Sequence, residues 1–305
     1  MKILITGSNG LLGQKLVYRL AGNSDFEIIA TSKGENRISR KEGYRYLPLD
    51  ITSKEQVQQV IDEVKPDCII NTAAMTNVDA CENDKAGCKA LNIDAVEYLT
   101  EECLPYATHF IHLSTDFVFD GENGPYREDD LPNPLSYYAW SKLESEKIVM
   151  QSGLDWAILR TIIIYGVVDD VQRSNLVLWT KSSLEKQQSI NVITDQFRSP
   201  TLAEDLAEAC VLAAQKRALG MYHICGPEDD LDSIINIARK VAVFFNLDQS
   251  YIKPVTSAEL NQSAKRPPRT GFILDKARLE LGYNPTPLNK GLELVARQLQ
   301  QKKPV

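Results

Sequence analysis

The chain is poor in the residues that build metal centres and disulfide frameworks. It has three histidines, His109, His112 and His223, and two of them lie in strand-like apolar runs. None of the six cysteines, Cys68, Cys81, Cys88, Cys103, Cys210 and Cys225, forms a C-x-x-C pair, and Cys68 and Cys210 sit inside apolar segments. A His/Cys zinc site is therefore not expected, and the thiols read as buried and reduced. Basic blocks are also missing, and the net charge is −7, which argues against a nucleic-acid partner. No apolar run approaches the ~18 residues of a membrane span. Met1-Lys2-Ile3 reads directly as a strand with no signal-peptide pattern. The expected setting is the cytoplasm, away from membranes.

What is present is an ordinary globular composition. The 305 residues are 43% hydrophobic and 25% charged, enough to bury a sizeable core without covalent staples. The first half alternates strands and helices. Strands are expected at Lys2–Thr6, Glu27–Thr31, Tyr46–Leu49, Asp67–Asn71, Thr108–Leu113 and Trp156–Leu159. Helices are expected at Leu11–Leu20, after Ser53 with Gln56 completing a capping box, over Lys85–Glu102, and from an N-cap at Ser136 to about Gln151. Continuous apolar strands separated by helices imply a parallel sheet covered on both faces. The fold class is α/β, a Rossmann-type doubly wound sheet with a smaller C-terminal α/β lobe. Residues 1–160 form the dinucleotide domain, with 195–225 returning to it. Residues 161–194 and 226–305 form the substrate lobe, ending in a polar tail at Gln300–Val305. Within the second half, helices are expected at Ala203–Gln215, Ile234–Phe245 and Lys290–Gln300, with a strand at Met221–Ile224.

Gly7-Ser8-Asn9-Gly10-Leu11-Leu12-Gly13 follows the first strand and opens the first helix. The first glycine permits a tight turn, the second lets backbone approach a pyrophosphate, and the third lets helix and strand pack closely. Composition alone would yield such a triplet ~0.04 times in a chain of this make-up. An acid that would hold ribose hydroxyls is missing after the second strand. Ser32 and Lys33 stand there instead. A hydroxyl and an ammonium suit a 2′-phosphate, so NADP(H) is the preferred cofactor, with NAD(H) as the alternative. Asp50-Ile51 closes the third strand.

Tyr138 and Lys142 lie four residues apart on an expected helix, so their side chains share a face. Carbonyl reduction needs an acid, and a phenol becomes one at neutral pH when an ammonium stabilises its anion. Thr115 or Ser114, at a strand end, can orient the substrate oxygen.

Together with Ser114-Thr115-Asp116-Phe117-Val118-Phe119-Asp120-Gly121, Tyr138-Ala139-Trp140-Ser141-Lys142 resembles the dTDP-4-dehydrorhamnose reductase family of extended short-chain dehydrogenases/reductases. Asn71-Thr72-Ala73-Ala74-Met75-Thr76, Asp195-Gln196-Phe197-Arg198-Ser199-Pro200-Thr201 and Arg266-Pro267 agree, and the resemblance runs from Met1 to about Gly291. It implies reduction of the 4-keto group of a dTDP-linked 6-deoxysugar. Thr115, Tyr138 and Lys142 would be the catalytic triad. Gly7, Asn9, Gly10, Leu11, Leu12, Gly13, Ser32, Lys33, Asp50, Ile51, Ala73, Ala74, Thr76, Tyr138 and Lys142 would face the cofactor. Thr115, Asp116, Ile163 and Arg198 would face the sugar nucleotide. Asn92 matches a helix asparagine near the site, or is a capping amide.

Three departures bear on the substrate: Phe117 where the family often has Tyr, Ile163 where it usually has Trp, and Arg198 where a small residue is usual. Arg198 either meets a nucleotide phosphate or is a solvated loop cation. The Asp116-Phe117 pair lacks the second carboxylate a dehydratase needs. Two main alternatives and a lesser third stay open. One is another nucleotide-sugar epimerase or reductase. The other is a non-catalytic NADP-binding regulatory subunit, as in the methionine adenosyltransferase beta subunit of the same family; a stress- or redox-sensing NADP-binding protein is a lesser one. A homodimer is an open expectation.

Overall fold

The computed structural model describes residues 1–169 and 174–301. Part of the expected polar tail, residues 302–305, lies outside the described residues, as do residues 170–173 of the expected substrate lobe. Seven parallel strands form the main sheet: β1 (Lys2–Thr6), β2 (Glu27–Ser32), β3 (Arg45–Pro48), β4 (Cys68–Asn71), β5 (His109–Thr115), β6 (Trp156–Thr161) and, last in the chain, Gly220–Ile224. Between β6 and that last strand come β7 (Ile164–Tyr165), β8 (Ile190–Ile193), β9 (Phe197–Arg198) and β10 (Thr201–Leu202), so Gly220–Ile224 is β11. The order β11-β6-β5-β4-β1-β2-β3 reverses direction between β1 and β4. A crevice opens at such a switch point, at the carboxyl ends of the strands.

Alternation along each strand sends neighbours to opposite faces. Ile3, Ile5, Ile28, Ala30, Cys68, Ile70 and Ile111 enter one core. Leu4, Ile29, Ile69, Phe110 and Ile158 enter the other. The first core is closed by α1 (Leu11–Leu20), whose Leu16, Val17 and Leu20 pack with Ala207, Cys210, Val211 and Ala214 of α8 (Ala203–Gln215). The second is closed by α2 (Lys54–Val64), α5 (Ala95–Cys103) and α6 (Tyr137–Gln151). All six cysteines are buried and unpaired.

One local expectation needs correction and a second needs refinement. Ser53 caps α2 by accepting from the Gln56 amide at 3.3 Å, but the Gln56 side chain does not return to Ser53. It accepts from the Asp50 N–H at 3.1 Å and so braces the end of β3. The helix expected over Lys85–Glu102 is present in extent, from Lys85 to Cys103, but carries a π bulge. After α3 (Val78–Asn83) and α4 (Lys85–Lys89), a π turn at Ala90–Asp94 precedes α5.

The second half adds α7 (Leu176–Glu185), α9 (Ile234–Phe244) and small sheets. β8 pairs with β13 (Ile252–Val255), and β9 lies between β12 (Asp232–Ser233) and β14 (Arg269–Thr270). The chain ends on α10 (Leu288–Gln301). Among the described residues no helix is long and apolar enough to cross a membrane.

Candidate active site

One cavity of about 770 Å³ runs over the carboxyl ends of β1 to β6 and under the second-half elements. Every residue proposed from sequence as a site residue lines it, from Gly7 to Arg198.

At one end α1 presents a bare N-terminus. Gly10 occupies the cap position with no side-chain hydrogen bond, and the first turn holds no acid. Its amide N–H groups therefore face the cavity without a partner from the chain's own caps, as an anion-binding end requires. Gly7 has φ +67°, and a Cβ there would stand 2.9 Å from the Ala73 backbone. At Gly13 a Cβ would stand 2.5 Å from the Gly7 carbonyl oxygen and 2.6 Å from Ser8 Cα. The two glycines thus let the loop sit close to α1 and to the end of β4, leaving room for a pyrophosphate. These features fit a dinucleotide. Asn9 is turned the other way: its amide donates to the Glu35 carbonyl at 2.8 Å and its oxygen accepts from the Arg37 N–H at 2.9 Å, tying down the loop after β2. Beside it, Lys33 Nζ meets Asp50 Oδ2 at 2.6 Å. Lys33 is thus an exposed cation already offsetting the nearest acid.

At the other end Ser136 caps α6, accepting from the Ala139 N–H at 3.3 Å. The cap fixes the helix so that Tyr138 and Lys142 both enter the cavity, buried to 8% and 3% exposure. Burial pushes the Tyr138 phenol well above its ordinary value, while the neighbouring Thr115 hydroxyl works in the opposite direction. Burial also lowers the Lys142 ammonium from 10.5 to about 8. At neutral pH the pair is a phenol beside an ammonium. Thr115 donates to Asp116 Oδ1 at 3.1 Å and accepts from the Phe117 N–H at 3.2 Å, which holds its hydroxyl at the strand end.

Asn92 is neither a cap nor a cavity wall. Its oxygen accepts from the Met75 N–H at 2.8 Å, and its amide donates to the Met75 carbonyl at 3.0 Å and to Ser141 Oγ at 3.0 Å. From the π turn it clamps the loop after β4 to α6, one residue short of Lys142. Such π turns often mark functional positions.

Arg198 departs furthest from its expected settings. It is not a solvated loop cation: it lies in β9 at 3% exposure. Its guanidinium donates to the carbonyls of Pro267 at 2.6 Å and Phe197 at 2.7 Å, and approaches Asp116 Oδ2 at 3.4 Å. Thr270 also donates to Asp116. The cation is committed to the chain's own acceptors before any phosphate arrives. Asp116, pushed up by burial and pulled back by Arg198, Thr270 and Thr115, is equally engaged.

Sequence reading missed the cavity wall contributed by Asn175, Ile193, Gln196, Ile234, Gln262 and Arg266. Gln196 and Arg266 lie in the quoted family segments, which was the available signal. Arg266 is held by Asp79, with Nη2 2.6 Å from Oδ2. Among the described residues no group of three His, Cys, Asp or Glu side chains is placed to hold a metal ion.

A tyrosine one helical turn before a lysine, both buried at the mouth of a Rossmann crevice, is the acid–base arrangement of short-chain dehydrogenases/reductases, a class of NAD(P)-dependent oxidoreductase. Within that class the chain belongs to the family described as the RmlD substrate binding domain, whose model matches residues 1–301. Relatives of two kinds are similar to it. The dTDP-4-dehydrorhamnose reductase of Aggregatibacter actinomycetemcomitans is 31% identical over 305 residues, covering 96% of this chain and 97% of its own. The methionine adenosyltransferase 2 subunit beta of Bos taurus is 32% identical over 299 residues, covering 96% of this chain and 86% of its own. Among solved structures, dTDP-4-dehydrorhamnose reductase from Bacillus anthracis in complex with NADP superposes with a TM-score of 0.83 at 27% identity, covering 97% of this chain and 99% of that one.

Proposed function

We propose that this protein reduces the 4-keto group of a dTDP-linked 6-deoxysugar, using NADPH in preference to NADH. The observation that carries the reading is one continuous cavity joining the bare N-terminus of α1 to Thr115, Tyr138 and Lys142. The dinucleotide would lie along Gly7–Gly13, Ser32, Lys33, Asp50, Ile51 and Ala73–Thr76, with Tyr138 and Lys142 at its far end. Once bound, the nicotinamide supplies the hydride. The chain's own residues manage the proton. Tyr138 keeps it in the resting site because burial disfavours the phenolate. Thr115, already oriented by Asp116 and the Phe117 N–H, steers the carbonyl oxygen to the phenol. As the proton leaves, Lys142 offsets the phenolate charge, an interaction worth more in the transition state than before it.

Preference for NADPH is supported by Ser32 and Lys33 and by the neutralisation of Asp50, which removes the charge that would repel a 2′-phosphate. The relative from Bacillus anthracis, bound to NADP, agrees. We assign the sugar nucleotide to the side lined by Thr115, Asp116, Ile163 and Arg198, where Arg198 holds Asp116 and two carbonyls and so shapes the wall. The lobe would comprise residues 161–194 and 226–305, with 195–225 returning to the dinucleotide domain. We place the reaction in the cytoplasm and expect no nucleic-acid partner, given the charge of −7; a homodimer is compatible with this reading.

The test is incubation of the purified chain with NADPH and dTDP-4-dehydrorhamnose, following NADPH oxidation and product by chromatography. Stoichiometric conversion to the 4-hydroxy sugar supports the proposal. A second reading, a non-catalytic subunit, is favoured by the similarity to the methionine adenosyltransferase beta subunit. NADPH binding without turnover of any keto-sugar nucleotide would decide for it.

A further inference from the structure

The loop after β2 is held by parts of the chain that are far apart in sequence. Residues 33–41 carry four cations, Lys33, Arg37, Arg40 and Lys41, against one acid, Glu35. Like charges so close repel one another, and such a segment spreads unless it is braced. The brace is a closed circuit of hydrogen bonds. Asn9, in the glycine loop, donates from its amide to the Glu35 carbonyl at 2.8 Å and accepts from the Arg37 N–H at 2.9 Å. The Asn9 carbonyl accepts from Gln14 Nε2 at 3.3 Å. Gln14 Oε1 accepts from the Asp169 N–H at 2.8 Å. Asp169 Oδ2 accepts from the Ser39 N–H at 2.8 Å, which returns the circuit to the loop.

Three segments meet in this circuit: the glycine loop with the first turn of α1, the loop after β2, and the stretch that follows β7. The last also borders the cavity, through Val168. Gln14 is fully buried and Asn9 is exposed by 6%, so water competes little for their partners. Tyr18, one turn of α1 beyond Gln14, donates its hydroxyl to Asp169 as well. Burial, followed by Asp169 itself, pushes that phenol up to about 12, so it remains a donor at neutral pH. At the inner end of the loop the Tyr46 hydroxyl lies 2.7 Å from the Gly34 carbonyl and 3.1 Å from that of Ser32. Neither Gln14 nor Asp169 lines the cavity, so any effect of theirs on a ligand passes through the segments they hold.

We propose that Gln14 and Asp169 are positioning residues for cofactor discrimination: through the circuit they hold the cation-bearing loop after β2 in the shape that receives a 2′-phosphate, without touching the cofactor themselves. The proposal deepens the NADPH reading and rests on it. The two cofactors share the adenine, both riboses and the pyrophosphate, and differ only in the 2′-phosphate. Contacts with Gly7–Gly13 and Ala73–Thr76 serve both. A slack loop would keep those contacts and lose the preset placing of Lys33 at the end of β2. The loop would then have to be ordered at the moment of binding, against its own charge repulsion, and this cost falls on NADPH alone.

The test measures dissociation constants of NADPH and NADH for the whole chain by fluorescence titration, in the wild type, Asp169→Ala, Asp169→Asn and Gln14→Leu. The wild type should bind NADPH more tightly than NADH. In Asp169→Ala the NADPH affinity should fall about five- to tenfold, the net worth of one hydrogen bond, while NADH stays within about twofold. Asp169→Asn, which keeps an oxygen for the Ser39 N–H, should recover at least half of that loss on a logarithmic scale. Gln14→Leu breaks the circuit on its other side and should narrow the NADPH-over-NADH difference in the same direction, a second readout should Asp169→Ala not fold. An unchanged difference in folded variants, or an equal loss for both cofactors, would overturn the proposal. Equal affinities already in the wild type would overturn the NADPH preference, and the proposal with it. Neither outcome depends on turnover.

Discussion

Lys142 illustrates how a functional charge loads a fold. Its folded pKa, near 8, lies below the ordinary 10.5 because burial disfavours the ammonium. Between those two values the unfolded chain binds more protons, so stability rises with pH there. Below about 8 the cost of burying the charge is felt in full. Lys142→Met should therefore raise the melting temperature at pH 7, by a few degrees for roughly 1 kcal/mol gained in a chain of this size. That gain should shrink in a melt repeated near pH 10. Turnover should be lost in the same variant. Tyr138 and Lys142 were legible in sequence because helical geometry alone puts residues four apart on one face. Asp169 was not. An acid in a stretch without clear periodicity carries no such signal, and its partners Gln14 and Ser39 lie 155 and 130 residues before it in the chain. The burial of Arg198 was not legible for the same reason: only tertiary structure shows that carbonyls of Phe197 and Pro267 and the Asp116 carboxylate already hold it.

The elements of the first half follow local rules. β1 and α1 begin and end where apolar periodicity and glycine placement put them, and Ser136 caps α6 as a serine before a helix should. Gly13 joins two of these elements. Gly13→Ala would press a methyl against the backbone of Gly7 and Ser8, both rigid. A loss of about 1–3 kcal/mol is expected from such overpacking, read by denaturant melts, with NADPH affinity falling alongside. The link from α6 to β6 is a buried ion pair, Arg160 with Glu146, exposed by 3% and 0% on their side chains. Glu146→Ala should cost about 3–5 kcal/mol because the guanidinium stays buried without its partner. What was not legible at this scale is the π turn at Ala90–Asp94 and the short pairings β8–β13 and β12–β9–β14. Two- to four-residue strands carry too little periodicity to be distinguished from loops, and their partners are remote in sequence.

Across the whole molecule, the cavity is lined both by the strand ends of the sheet and by second-half elements, so a ligand that fills it touches both. Saturating NADPH at a hundred times its dissociation constant should add about 2.7 kcal/mol. A calorimetric scan should show a larger shift with NADPH than with NADH at equal excess, if Ser32 and Lys33 meet a 2′-phosphate. Lys33→Ala should narrow that difference with little effect on NADH. On this account Tyr138 delivers the proton, and although it faces the cofactor, most of the grip on the dinucleotide comes from the glycine loop and the α1 N-terminus. The most direct test is Tyr138→Phe, measured for both NADPH affinity and single-turnover reduction of dTDP-4-dehydrorhamnose. Affinity should stay within a few-fold of wild type while the reduction rate falls by about 10²–10⁴, the usual worth of a positioned general acid. A Phe variant that reduces the sugar at the wild-type rate would contradict the assignment.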